Sequence, residues 1–303
     1  MKFSKTLLVI LAVIVATGGA FIYYSVATIK VEQLNDDVFV LRGLGGNTTV
    51  VKTSQGTVVI DSMTVPMQGR IIQQKAEQLT GQAVSVLINT HYHLDHTQGN
   101  PGFSNNLRII STDKTLAHLT NIDGDDWQGD KAEYLPNETF DKQLTLRLGD
   151  KTLDLIHPGR GHTDGDLVVY IRQLKTAVMG DLFFNRHYPN IDLEAGGSVQ
   201  RWPLAIDKVL GLGVTTVIPG HGATSNELGL KQFRRFMAQL GTIARQASAQ
   251  DWSLERMLAT DQLDTDTGFK ELAFAGIPLG LDREFVLKRA WEESSQSQTA
   301  SKN

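Results

Sequence analysis

Four side chains that can bind a metal ion lie within six consecutive residues of this sequence. His91, His93, Asp95 and His96 follow the apolar run 84–89, which is typical of a buried strand that ends in a turn. Neutral imidazole nitrogen and carboxylate oxygen are the ligands that zinc prefers where no thiolate is present. His91 and His93 can point at one centre if the strand exit stays extended, and Asp95 and His96 can serve a second centre beyond the bend. Accidental polarity in a solvated loop explains a lone histidine better than it explains this cluster.

Three further candidate ligands occur later in the chain, each next to a predicted strand. His162 lies just before one such strand, whereas Asp181 and His221 each lie at the end of another. Asp61 ends an earlier apolar run in the same way. The sequence therefore predicts a site that residues distant along the chain complete.

These motifs, spread over about residues 57–222, resemble the signature of the metallo-β-lactamase superfamily, beginning with the pattern HxHxDH. The resemblance implies an α/β fold, a four-layer αββα sandwich, with two zinc ions per chain and iron or manganese as poorer alternatives. It assigns His91, His93 and His162 to one metal, Asp95, His96 and His221 to the other, Asp181 to a bridge between them, and Asp61 to hydrogen bonds that orient the ligand loop.

The same resemblance implies hydrolysis of an activated acyl bond in a small molecule. A hydroxide shared by the two metals would attack a carbonyl, and Asp95 would be the catalytic residue that carries a proton to the leaving atom. The bond could be a lactam, a lactone, an ester or a thioester. Because Asp181 keeps a carboxylate that the well-known β-lactamases replace, any β-lactam hydrolysis is expected to be weak or secondary.

Three alternatives remain at the level of sequence. A glyoxalase II-like thioesterase would use the same ligands on a thioester. A diiron redox protein could use this scaffold, but such relatives usually carry glutamate where this chain has His93. A non-catalytic metal-binding envelope protein is the third alternative, although degenerate relatives tend to lose ligands and this chain keeps all seven.

Composition narrows the class of protein further. The chain has 303 residues, 41% of them hydrophobic, which is enough for a substantial core. A net charge of −4 without a basic block argues against a nucleic-acid partner. With no cysteine, thiolate metal sites and disulfides are excluded. The oligomeric state is left open.

The N-terminal segment 1–27 reads as a signal peptide or a membrane anchor. Lys2 and Lys5 precede an uncharged, mainly apolar run from residue 7 to residue 27. Either reading predicts a periplasmic or other extracytoplasmic location, with contact to the inner membrane only if the segment is not cleaved. A catalytic domain is predicted over 28–225, with C-terminal helices and a polar tail on the same domain over 226–303.

Several local elements are also predicted. Antiparallel strands are expected over 31–62, a hairpin over 139–157, and helices over 68–79, 113–119, 198–210, 228–249, 253–259 and 282–293, the 198–210 helix with a serine cap. Segment 121–138 is interpreted as an acidic, irregular surface segment from which Trp127 or Tyr134 could overhang the cleft. Apart from the ligands, the expected substrate contacts are Arg186, His187 and Tyr188 in segment 185–197. The C-terminal residues Arg283, Lys288 and Arg289 could also contact substrate, but they are better explained as charged side chains on the solvent-facing side of a helix.

Overall fold

Residues 24–260 and 262–302 are described by a computed structural model. Seven strands form the first sheet, in which spatial order follows chain order. They are β1 (Lys30–Gln33), β2 (Val38–Arg42), β3 (Thr48–Thr53), β4 (Gly56–Ile60), β5 (Val84–Ile88), β6 (Arg108–Thr112) and β7 (Glu138–Phe140). Strands β1 to β4 pair antiparallel, as predicted for 31–62, and β4 to β7 pair parallel.

Six strands form the second sheet, in the order β13-β12-β11-β10-β9-β8. They are β8 (Gln143–Leu148), β9 (Lys151–Ile156), β10 (Val168–Ile171), β11 (Thr176–Val178), β12 (Thr216–Ile218) and β13 (Ser225–Asn226). The hairpin predicted around Gly149 is confirmed by the pairing of β8 with β9. Its predicted start is wrong, because Glu138–Phe140 pairs with β6 in the first sheet instead.

The helices are α1 (Pro66–Thr80), α2 (Leu94–Thr97), α3 (Asp113–Asn121), α4 (Trp202–Leu210), α5 (Glu227–Ala249), α6 (Leu254–Ala259) and α7 (Arg283–Lys302). A short hairpin of β14 (Ala273–Phe274) and β15 (Ile277–Pro278) lies between α6 and α7. Helix α1 ends at Gly81, whose φ of 73° lies in the left-handed region that favours glycine.

Two helix boundaries differ from those predicted by more than two residues. Ser198 does not cap α4: its hydroxyl accepts from the Arg201 amide at 3.1 Å and closes the turn that leads into the helix. Helix α4 begins at Trp202, with Pro203 in its first turn. The predicted polar tail is instead helical through Lys302, because α7 continues past Ser294, which is itself buried.

Three apolar layers hold these elements together. Val58 and Ile60 point between the two sheets, whereas Val59, one residue apart, packs on α1, so both faces of β4 are buried. On the outer face of the second sheet, Trp202 and Phe233 pack in one cluster with residues of α5 and α7. The order helix, sheet, sheet, helix confirms the predicted four-layer sandwich.

The predicted export or anchor segment lies outside the described residues, apart from its last four positions, 24–27. Among the residues that are described, no helix combines the length and apolar character that crossing a bilayer requires.

Candidate metal centre

The seven predicted ligands come together at one edge of the two sheets. One group consists of His91, His93, His162 and Asp181; the other consists of Asp95, His96 and His221. Within each group, one ligand atom from every residue lies within 4.8 Å of the others. The first sheet supplies the four ligands of the HxHxDH motif at the exit of β5 and in α2, and the second sheet supplies the other three at its strand ends.

Hydrogen bonds fix which ring nitrogen each of three histidines presents to the centre. His162 Nδ1 lies 2.9 Å from the Asn190 carbonyl, which can only accept, so Nδ1 carries the proton and Nε2 is free to bind a metal. His96 Nδ1 lies 2.8 Å from the Asp61 carboxylate with the same consequence. His93 is reversed: its Nε2 donates to Asp192 at 3.0 Å, which leaves Nδ1 free to bind a metal.

The donor atoms fit metal ions better than they fit one another. His93 Nδ1 and His162 Nε2 are 2.8 Å apart, although the hydrogen bonds above leave neither with a proton. His91 Nε2, His96 Nε2 and Asp181 Oδ1 are buried and have no hydrogen-bond partner within the described structure. Buried nitrogen and oxygen lone pairs that converge without donors are costly, and a bound cation relieves that cost. An all-nitrogen and oxygen set of this kind suits zinc.

Asp181 lies between the two groups. Its Oδ1 is 3.1 Å from His96 Nε2 and 3.4 Å from His221 Nε2, and its Oδ2 is 3.8 Å from the Nε2 atoms of both His91 and His162. Each carboxylate oxygen therefore faces one group, which is the geometry that a bridging ligand needs.

The two groups differ in their electrostatics. Burial holds the pKa of His91 well below its usual value and lowers the pKa of His162 to about 4, so both imidazoles are neutral at neutral pH. Burial also lowers the pKa of His221, but the Asp181 and Asp95 carboxylates outweigh it and raise that pKa to about 9. His91 and His162 thus present unprotonated nitrogens, whereas a metal in the second group must displace the proton of His221.

Asp61 supports the ligand loop from below. Its carboxylate accepts hydrogen bonds from the Thr90 amide and hydroxyl, both at 2.8 Å, and from His96 Nδ1. The Thr90 hydroxyl in turn lies 3.1 Å from His91 Nδ1. The buried Asp61 carboxylate therefore orients His96 directly and His91 through Thr90, one candidate ligand in each group. This is the supporting role that the sequence predicted for Asp61.

Two further supports were not predicted from the sequence. Asp192 accepts from His93 Nε2 and from the Tyr92 hydroxyl, and these hydrogen bonds outweigh burial and lower its pKa. Asn47 Nδ2 donates to the carbonyls of Pro219 and Gly222, each at 2.9 Å, and so clamps the turn that carries His221. Only the polarity of segment 185–197 hinted at Asp192, and no local pattern marked Asn47.

Glycines allow this close packing at two points. A Cβ on Gly220 would lie 2.0 Å from Asp181 Oδ1, and one on Gly46 would lie 2.3 Å from the His96 ring. Any larger residue at these positions would displace a ligand.

Comparison with known proteins agrees with this geometry. A family profile described as "Metallo-beta-lactamase superfamily" matches residues 41–221, more than half of the chain. The chain belongs to the metallo-beta-lactamase superfamily. The prediction of a metal-dependent hydrolase of this superfamily is thereby confirmed.

Individual relatives are distant. The chain is 26% identical over 212 residues to a protein named "Metallo-beta-lactamase type 2" from Bacillus cereus, covering 64% of this chain and 77% of that one. It is 23% identical to the "2,4-dinitroanisole O-demethylase subunit alpha" of a Nocardioides strain, over 63% of this chain and 55% of the relative. A solved metallo-beta-lactamase from Pontibacter korlensis shares the fold, with a TM-score of 0.58 and 22% identity over 70% of this chain and 99% of its own.

The other predicted contact residues lie in different surroundings. His187 lines the cleft beside the superfamily site, together with Asp95 and His221. Tyr188 is directed away from that cleft and donates to Asp266 at 2.8 Å, and Arg186 lies with Arg235 around a separate depression. Trp127 does not overhang the cleft, because it is buried in a small cluster with Tyr92.

The charges of α7 are paired rather than directed at the cleft. Arg283 bonds to Asp266 and to the Leu263 carbonyl, and Arg289 donates to the Ile191 carbonyl at 2.9 Å. Lys288 faces Glu292 on its own helix at 4.0 Å.

Asp166, in the turn that carries His162, is a buried carboxyl group whose raised pKa should make the stability of the protein depend on pH. Its carboxylate accepts from the Thr163 amide at 3.1 Å and hydroxyl at 2.7 Å, and burial raises its pKa to about 7 from an ordinary value of 3.8. The folded state therefore holds a proton that the unfolded chain loses, so the folded state loses stability as pH rises from about 4 to about 7, by up to about 4 kcal/mol.

Asp166→Asn is expected to remove this dependence, because the amide oxygen can still accept from Thr163 without ionising. We expect the free energy of unfolding of the variant, relative to the native protein, to increase with pH over that window and to level off above it. Urea unfolding in the presence of a chelator measures this without metal linkage. A difference that is constant from pH 4 to pH 8 would show that the Asp166 pKa is not raised.

Proposed function

We propose that this chain is an exported dinuclear zinc hydrolase that cleaves an activated acyl bond in a small molecule. The observation that carries the proposal is the pair of ligand groups joined by Asp181, with the cleft opening beside Asp95 and His221. When bound, two zinc ions supply an activated water at neutral pH and polarise the substrate carbonyl. In this assignment His91, His93 and His162 hold one ion, Asp95, His96 and His221 hold the other, and Asp181 contacts both.

Asp95 is the residue best placed to move a proton. Its side chain is 22% exposed, and its Oδ2 lies 3.3 Å from His221 Nε2. Burial raises the pKa of Asp95, but His96 and His221 outweigh it and bring that pKa to about 2, so the carboxylate is ionised at neutral pH. It can therefore accept a proton from the attacking water and return it to the leaving atom.

Export is part of the proposal and rests on the apolar run behind Lys2 and Lys5. An extracytoplasmic location favours a β-lactam or an ester over a glutathione thioester. A dedicated β-lactamase is disfavoured by the Asp181 carboxylate, so we expect penicillins and carbapenems to be turned over with kcat/KM below about 10⁶ M⁻¹s⁻¹.

Metal analysis combined with a substrate panel tests the proposal. The purified protein is expected to contain about two zinc ions and to hydrolyse one of three substrate classes preferentially: a chromogenic cephalosporin, lactones or glutathione thioesters. Dialysis against a chelator should abolish turnover, and zinc should restore it, because the ligand set lacks any protein nucleophile. Iron in the purified protein would favour the redox alternative, and full metal loading without turnover would favour a binding protein.

Asp95→Ala separates the catalytic proposal from a scaffold role. We expect turnover to fall by at least about a hundredfold, the lower end of what proton transfer contributes. A scaffold would keep its partner binding in this variant, whatever happens to its metal content. Circular dichroism serves as the folding control, because Asp95 lies at the edge of the cleft and not in the core.

A further inference from the structure

The cleft beside the ligands is large enough for a small molecule and differs in character along its walls. Its volume is about 620 Å³, within the range usual for ligand sites. Asp95, His221, His187 and Asn47 give it a polar wall that includes ligands from both sheets. A reacting group bound next to Asp95 and His221 therefore leaves most of this volume for the rest of the substrate.

An apolar wall lies across the same cleft. Leu44, in the turn between β2 and β3, contributes one part of it. The rest comes from residues 272–279, named here the cleft hairpin, through Leu272, Phe274 and Leu279. Leu279 is 48% exposed, so this part of the apolar wall is accessible from solvent.

The cleft hairpin is held in place by the segment that carries His187. The Lys270 amide donates to the Arg186 carbonyl at 3.0 Å, and the Tyr188 amide donates to the Lys270 carbonyl at 3.1 Å. The hairpin is closed by the Leu279 amide, which donates to the Leu272 carbonyl at 3.0 Å. His187 lies between these two backbone bonds, so the chain that enters the cleft hairpin is tied to the segment that supplies part of the polar wall.

The cleft hairpin lies outside the part of the chain that matches the superfamily. The profile match ends at residue 221, and the cleft hairpin begins 51 residues later. Its chemistry is therefore a property of this chain's own C-terminal region rather than of the shared metal centre.

We propose that the cleft hairpin and Leu44 form a binding site for an extended apolar acyl chain. This inference rests on the proposed acyl hydrolysis and names the class of substrate: an ester, lactone or thioester whose acyl group is a medium-length hydrocarbon chain. Water adds to the acyl carbonyl, the bond to the leaving heteroatom breaks, and that atom takes one proton of the water. The chain leaves as a carboxylate, and the second proton is released to solvent. The apolar wall stabilises the bound chain by removing it from water.

A chain-length series tests the site. With p-nitrophenyl esters from butanoate to dodecanoate, kcat/KM of the native protein is expected to rise by up to about fourfold per added methylene until the cleft is filled. Phe274→Ala and Leu44→Ala should each flatten the rise, so that the ratio of the dodecanoate rate to the butanoate rate falls by about tenfold or more relative to native. The two substitutions lie on different elements, so disruption of the hairpin alone cannot explain a shared effect.

Leu228→Ala is the matched control, since Leu228 is 67% exposed and does not line the cleft. It should keep the native chain-length profile. A binding measurement is independent of turnover: by calorimetry, decanoate should bind the native protein at least about tenfold more tightly than it binds Phe274→Ala, whereas butanoate should not discriminate between them.

The outcomes separate this inference from the proposed function. Hydrolysis rates that do not change with chain length overturn the acyl-chain site. The same conclusion follows if the native protein and all three variants show an equal dependence on chain length. Either result leaves the proposed hydrolase intact. Absence of acyl hydrolysis together with chain-selective binding of decanoate retains the apolar site and overturns the proposed reaction.

Discussion

Asp181→Asn is expected to remove at least one of the two metal ions and to lower kcat/KM by about a thousandfold or more. Its two carboxylate oxygens face different groups, with His96 Nε2 3.1 Å from one and His91 Nε2 3.8 Å from the other. An amide offers only one accepting oxygen and no charge, so it cannot serve both groups. A thousandfold loss corresponds to about 4 kcal/mol of transition-state stabilisation.

Mass spectrometry of the native and variant proteins measures the loss of metal. Turnover of the preferred substrate measures the loss of activity. Asp141→Asn is a suitable control, because Asp141 is 78% exposed and its nearest ionic partner, Lys142, is 4.0 Å away. An Asp181→Asn protein that holds two ions and retains more than a tenth of native activity would contradict the bridging assignment.

Asp61→Ala and Asp61→Asn are expected to damage the protein in different ways. Alanine leaves the Thr90 amide, the Thr90 hydroxyl and His96 Nδ1 without their buried acceptor, which should cost about 3–5 kcal/mol of unfolding free energy. Asparagine keeps the shape and one acceptor. Its amide group, however, would face His96 Nδ1 as a donor and shift the His96 proton to Nε2, the atom that must bind metal.

We therefore expect Asp61→Asn to lower metal affinity by about ten- to a hundredfold with a smaller loss of stability than Asp61→Ala. Chelator competition measures the affinity, and urea unfolding of the metal-free proteins measures the stability. Asp154→Asn serves as the buried control, since Asp154 bonds to Arg172 and Thr145 away from the ligands and should change stability alone. Native metal affinity in Asp61→Asn would argue against this role for the His96 tautomer.

The ligands could be predicted from the sequence because their signals are local. His91, His93, Asp95 and His96 are adjacent in the chain, and Asp181 and His221 each end a recognisable apolar run. Helix α1 could be predicted for the same reason, because its apolar residues recur at helical spacing and a glycine follows its last turn. The physical reason is that strand ends and helix ends depend mostly on the nearest few residues.

Contacts between distant segments could not be predicted in this way. Asp192 meets His93 from 99 residues away, and Asn47 reaches the Gly222 carbonyl from 175 residues away. Ser198 shows the complementary problem, because a hydroxyl that accepts from an amide three residues on looks the same whether it caps a helix or closes an isolated turn. Pro203, which has no N–H to donate to residue 199, is consistent with a helix that begins only at Trp202.

The division of ligands between the two sheets means that metal binding also crosslinks the halves of the sandwich. An ion bound by His91 and His162 ties the exit of β5 to the turn before β10, so occupancy should raise the melting temperature as well as enable catalysis. The gain is limited, because the four ligands of the HxHxDH motif remain neighbours in the unfolded chain and can still capture an ion there. Substituting the ligands of the second sheet should thus weaken the crosslink, while the HxHxDH motif alone keeps some affinity for zinc. Metal uptake can therefore begin before the second sheet has folded.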